Sequence, residues 1–340
     1  MMRDKQLDIY RALTMIYIVC VIHTIYWNNL FNDILQSLIL FEMPVIFFIA
    51  GSSQYVANKN YSTIENIKNR AKRILLPYYV FLLSGIILYY TVATVTDHVG
   101  KFQFSYNALS CKDIIKMIMT GGCEKIPYLG YTWFISTYFI ISCVFPIQKK
   151  IINIVQPRTY LLIWAFICLI LHFVHLPILE NEIKSIPIYN FFFLTGYLLY
   201  KRYNHTIITS IILSIISVLL FITGEAIPMQ NHKFPADVIF LVYGCTIISV
   251  LSIILKHIRL KENTITRIWN ERGYTIYLYQ SIPFFIIYSV CYKWKETAED
   301  LYVFIVYFIL TFILNSCLCK FTFRFENIIK NIILNRNKDG

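Results

Sequence analysis

The feature that most constrains this chain is a succession of apolar runs, each about as long as a lipid bilayer is thick, beginning with residues 7–27. About 20 mainly apolar residues cross the ~30 Å of hydrocarbon. Inside that layer only helices or closed barrels satisfy their own backbone groups. Ten segments qualify: 7–27, 35–57, 74–95, 131–148, 160–179, 186–200, 207–224, 235–256, 274–292 and 301–319. Hydrophobic residues make up 57% of the 340 and charged residues 15%, against about 25% charged in a soluble domain. The mean hydropathy is +0.58. The expected fold is an all-α, polytopic integral membrane bundle of about ten transmembrane helices, a single domain over residues 1–340.

Basic residues test that map independently. With the N-terminus in the cytoplasm, 23 of the 31 Lys and Arg fall in the internal segments, among them Lys68, Arg70, Lys72 and Arg73 before the third run. The alternation holds loop after loop, as the positive-inside rule requires, and it puts the C-terminus in the cytoplasm too. The net charge of +12 is therefore read as membrane topology, with lipid as the surrounding partner and no nucleic acid expected. The first run is too long for a signal-peptide core and lacks a small-residue cleavage site, so it reads as a spanning helix. The longest external loop, 96–130, contains a stretch over 113–119 that could form a short amphipathic surface helix.

Ionisable groups inside a bilayer are expensive and mark functional candidates. The first run holds Arg11 about one turn in and His23 near its far end. Their separation along a regular helix is ~18 Å. Glu42 enters early in the second run, which returns inward, so it shares the depth of His23. A carboxylate there could orient the imidazole and raise its basicity. Arg70 and Arg73 share a helical face suited to phosphate, or serve as topological charge alone. Tyr131, Trp133 and Gln280 are candidate substrate-binding residues, although aromatic-belt and cavity-lining roles fit them as well. His172 and His175 lie three apart, but further metal ligands are lacking and no metal is expected. Cys111 and Cys123 share one external loop, where a disulfide is possible.

The order of these features resembles the acyltransferase-3 family of integral membrane acyltransferases. Leu7-Asp8-Ile9-Tyr10-Arg11 through His23 is similar to the family's opening motif. Met43-Pro44-Val45-Ile46-Phe47-Phe48 through Gly51 resembles its second motif. Arg73-Ile74-Leu75-Leu76-Pro77-Tyr78, Trp133-Phe134 and Tyr274-Thr275-Ile276-Tyr277-Leu278 follow in family order. There are departures. The family usually has ten residues between its basic residue and histidine, and this chain has eleven. One added residue turns a side chain by ~100° on a regular helix, unless a π-bulge absorbs it. Ala50 replaces a common Ser, and Gln280 stands where the late motif often has His.

The resemblance implies an enzyme that moves an acyl group, most simply acetyl from acetyl-coenzyme A, to a hydroxyl of a cell-surface or lipid-linked glycan. It implies a bacterial cytoplasmic (inner) membrane. His23 would be the base, oriented by Glu42, with Arg11, Arg70 and Arg73 holding coenzyme phosphates. The alternative is an exporter of polysaccharide or small molecules on the same fold.

Overall fold

The structure, a computed structural model, describes residues 4–59, 62–99, 110–121, 130–174, 180–200 and 207–335. Helix α1 (Lys5–Asn28) begins where the Asp4 carboxylate accepts from the backbone N–H of Gln6 and Leu7. It ends at Asn29, whose left-handed φ of 52° is tolerated by its short polar side chain. The short α2 (Asp33–Ile39), capped by Asn32, turns the chain back into α3 (Glu42–Ala57). Next come α4 (Thr63–Arg70), capped by Ser62, and α5 (Leu76–Val99), joined through a π-helical segment at Ala71–Leu75.

The remaining helices are α6 (Cys111–Thr120), α7 (Phe134–Ile152), α8 (Pro157–Phe173), α9 (Glu180–Leu199) and α10 (Ile207–Ile222). After them come α11 (Met229–Lys233), α12 (Val238–His257), α13 (Thr264–Tyr279), α14 (Ser281–Lys295) and α15 (Asp300–Asn335). No strand occurs among the described residues, only an isolated bridge between Lys233 and Ala236.

A helix overlies each apolar run. Among the described residues, five helical stretches are long and apolar enough to cross a membrane: 5–28, 33–57, 130–152, 238–257 and 300–331. Their apolar exposure fits a lipid-facing surface; Leu13, Ile140, Ile254 and Ile309 are all exposed. The chain is a multi-pass membrane protein. Several runs differ from their sequence boundaries, 35–57 being divided between α2 and α3. Residues 274–292 break into α13 and α14 at Gln280, because Pro283 has no N–H to offer the Tyr279 carbonyl. The last run continues unbroken from Asp300 to Asn335. The 113–119 stretch lies within α6, which buries Met117 and receives the Tyr78 hydroxyl on the Met117 carbonyl at 2.7 Å.

Two parallel helix pairs build the core, Phe47 meeting Tyr189 and Tyr55 meeting Tyr200 in one, Arg11 meeting Asn270 and His23 meeting Gln280 in the other. The backbones of α3 and α9 meet at Gly51 and Gly196, where an added Cβ would run into the Phe193 and Phe48 carbonyls respectively. Ser52 Oγ donates across that seam to the Gly196 carbonyl at 3.2 Å. Small residues permit this approach, and close packing drives helix association in lipid. Helix α1 packs against α13, burying Ala12, Met15, Trp269 and Ile276. These contacts set α1, α3 and α13 side by side and so position the site.

Candidate functional site

Between Arg11 and His23, α1 widens into a π-helical turn at Tyr17–Ile22, closed by the His23 N–H bonding the Ile18 carbonyl five residues back. Twelve regular steps would leave the two side chains about 120° apart, whereas eleven leave them about 20° apart. The wide turn is the place where the extra residue is taken up, as π-bulges do at functional sites.

Arg11 Nη1 donates to Asn270 Oδ1 at 3.0 Å and to Asp8 Oδ1 at 3.3 Å, and Nη2 donates to Ser53 Oγ at 2.6 Å. Three contacts lock the guanidinium in place, yet two of its five N–H groups stay available. The side chain is 34% exposed. It lines a cavity of about 920 Å³ between α1, α3, α4, α7 and α13. Arg70 and Arg73 line the same cavity, as do Lys72 and Lys59. Asn66, on the same wall, donates to the Ser142 carbonyl at 2.8 Å and fastens α4 to α7. The rest of the lining turns aromatic, with Phe47, Phe134, Tyr138 and Tyr277.

His23 does not line this cavity; Tyr277 connects the two. The Tyr277 ring lies 4.8 Å from Phe134 at a near right angle and 6.0 Å from the His23 ring. The imidazole stacks on Trp27 at 4.8 Å with planes 3° apart, and Tyr131 closes another side at 5.6 Å. Tyr131 is fixed by donating to the Leu278 carbonyl at 2.7 Å, and the Tyr277 hydroxyl donates back to the Tyr131 carbonyl. His23 Nδ1 lies 2.6 Å from Gln280 Oε1, and the residue as a whole is only half-buried.

Several expectations are corrected. Glu42 does not orient His23. Its Oε1 pairs with Lys233 Nζ, and its Oε2 has no hydrogen-bond partner among the described residues. The cause is the turn at Met229–Lys233, tied back by the Met229 N–H on Ser37 Oγ at 2.9 Å. That tie brings a cation from the loop into the protein, where it requires an anion. Gln280 is buried against His23 and the Tyr277 carbonyl rather than open to a ligand. Trp133 packs on Phe234 at 4.7 Å and Tyr189 at 5.6 Å, beside Lys233 rather than beside the imidazole.

Sequence reasoning missed Ser53 and Asn270, which hold Arg11; Ser53 lies two positions after the Gly51 motif, but Asn270 carries no local signal. It also missed Lys233. His175 and Cys123 lie outside the described residues. Among those described, no group of three His, Cys, Asp or Glu side chains could hold a metal ion.

An arginine and a histidine on one helix, with a basic cavity at one and a clasped imidazole at the other, match the order in which the sequence motifs were read. The acyltransferase-domain family matches residues 4–319. The chain is a member of the acyltransferase-3 family. It is therefore a membrane acyltransferase by family, and the match covers every residue of the site. No curated protein and no solved structure matches the chain.

Proposed function

We propose that the protein transfers acetyl from acetyl-coenzyme A to a hydroxyl of a cell-surface or lipid-linked glycan, in the cytoplasmic membrane of a bacterium. The observation that carries this reading is the placement of Arg11 in a basic cavity whose wall, at Tyr277, borders His23. The cavity fits the donor chemically. Its Arg and Lys side chains suit the phosphates of the coenzyme. Its aromatic interior suits the apolar stretches of the pantetheine arm, and that arm, roughly 20 Å long, is comparable to the ~18 Å rise between Arg11 and His23.

In this mechanism the imidazole accepts the proton of the sugar hydroxyl as its oxygen attacks the thioester carbonyl. The C–S bond breaks, the acyl C–O bond forms, and the coenzyme thiolate takes the proton back from the imidazolium. Arg11 holds the donor from the cytoplasmic side, together with Arg70, Lys72 and Arg73. Tyr277 and Phe134 form the wall against which the thioester end is placed.

The test is acetyl-coenzyme A binding and glycan acetylation by purified protein, wild type beside Arg11→Ala and His23→Ala. Arg11→Ala is expected to lose binding. His23→Ala should keep binding and lose turnover by roughly 100-fold or more. A folded wild type that binds no acetyl-coenzyme A would refute the donor assignment and favour an export function.

A further inference from the structure

We infer that Gln280 is a positioning residue that selects the tautomer of His23, leaving Nε2 as the atom that takes the proton. Within the acyltransfer mechanism the inference rests on His23 being the base, but the tautomer itself does not depend on the reaction.

Gln280 sits at the break between α13 and α14 and is 1% exposed, so neither end of its amide is satisfied by bulk water. Its Nε2 donates to the Tyr277 carbonyl at 2.9 Å, and its Oε1 stands 2.6 Å from His23 Nδ1. A carbonyl oxygen can only accept, so the amide N–H₂ must face Tyr277; the reverse orientation would set two acceptors together. With Oε1 then facing the imidazole, Nδ1 must carry the hydrogen. In a neutral ring the other nitrogen keeps its lone pair. Among the described residues that nitrogen makes no hydrogen bond. The Trp27 stack at 4.8 Å and the Tyr131 ring at 5.6 Å restrain the plane in which the lone pair points. The chain thus uses a neutral amide, held by a backbone carbonyl of its own motif helix, where a carboxylate orients histidine in hydrolase triads.

The experiment uses full-length protein labelled with ¹⁵N-histidine at mildly alkaline pH, with His23→Ala to assign the signal. Wild type should show a protonated Nδ1 and an unprotonated Nε2. Gln280→Met, which removes the acceptor, should populate the Nε2-protonated tautomer. Gln280→Glu, which loses the donor to the Tyr277 carbonyl but keeps an oxygen that accepts from Nδ1–H, should keep Nδ1 protonated. An Nε2-protonated ring in wild type, or an unaltered spectrum in Gln280→Met, would overturn the inference. In turnover assays Gln280→Met is expected to lower kcat by ~10-fold or more with KM for acetyl-coenzyme A within about two-fold, and Gln280→Glu to recover most of it. A tautomer that shifts without a change in kcat would also overturn the positioning role. Spectra that respond as expected in a protein with no acetyl transfer would leave the tautomer selection standing and refute the acyltransferase mechanism instead.

Discussion

The two ends of α1 handle positive charge in opposite ways. At the Arg11 end, Lys72 and Arg73 stand exposed around the cavity, and Arg11 is clasped but still reachable. At the His23 end, Lys233 is 8% exposed in its side chain and is locked to a Glu42 carboxylate that is 2% exposed. A cation in water needs no partner and stays available to an anionic ligand. A cation taken out of water must bring its anion with it. The first arrangement suits recognition of phosphate and the second holds a loop in place. The same residue type therefore carries a different meaning at each end.

That contrast can be broken first at the buried pair. Glu42→Gln or Lys233→Met alone should destabilise the protein by about 3–5 kcal/mol, because each leaves a desolvated charge unpaired. The double variant should regain much of the loss. The unfolding midpoint in detergent reads this, and single variants as stable as wild type would show that the pair is not buried.

At the other end the expected effect is smaller and concerns binding alone. Replacing Lys72 and Arg73 together by Ala should weaken acetyl-coenzyme A binding by roughly 10-fold, as expected for two exposed charge contacts. The unfolding midpoint should not move. Binding by wild type should fall with added salt, and the variant should show a shallower dependence. Equal salt dependence in the two proteins would remove these side chains from the donor site.

The smallest effect lies in the loop that carries Lys233. His232 Nδ1 is 2.7 Å from Asp237 Oδ2, and this hydrogen bond raises the histidine pKa above its ordinary value against the opposing effect of burial. A raised pKa in the folded state stabilises the protein fully below the unfolded value of about 6.5, and the contribution disappears as pH rises through the folded value. The gap in unfolding midpoint between wild type and His232→Ala should therefore be wider in mildly acidic buffer than in alkaline buffer. A gap independent of pH would mean that Asp237 does not act on the ring's charge.

How much of the site was legible depended on sequence distance. Arg11 and His23 lie on one helix, Arg70 and Arg73 on one turn, and their chemistry is local. Glu42 and His23 have a common depth by helix counting, but depth is a one-dimensional coordinate and says nothing about facing. Lys233, 191 positions from Glu42, took the carboxylate by tertiary packing. Gln280, 257 positions from His23, took the imidazole.

The sequence by itself determined that the chain is helical and crosses a membrane, because hydrocarbon leaves the backbone few alternatives. It also determined the family, because five short motifs survive in order. Only the tertiary structure decided which buried polar groups meet. Hydrogen bonds and ion pairs act over about 3 Å, and neither hydropathy nor residue spacing resolves positions that finely between helices far apart in the chain.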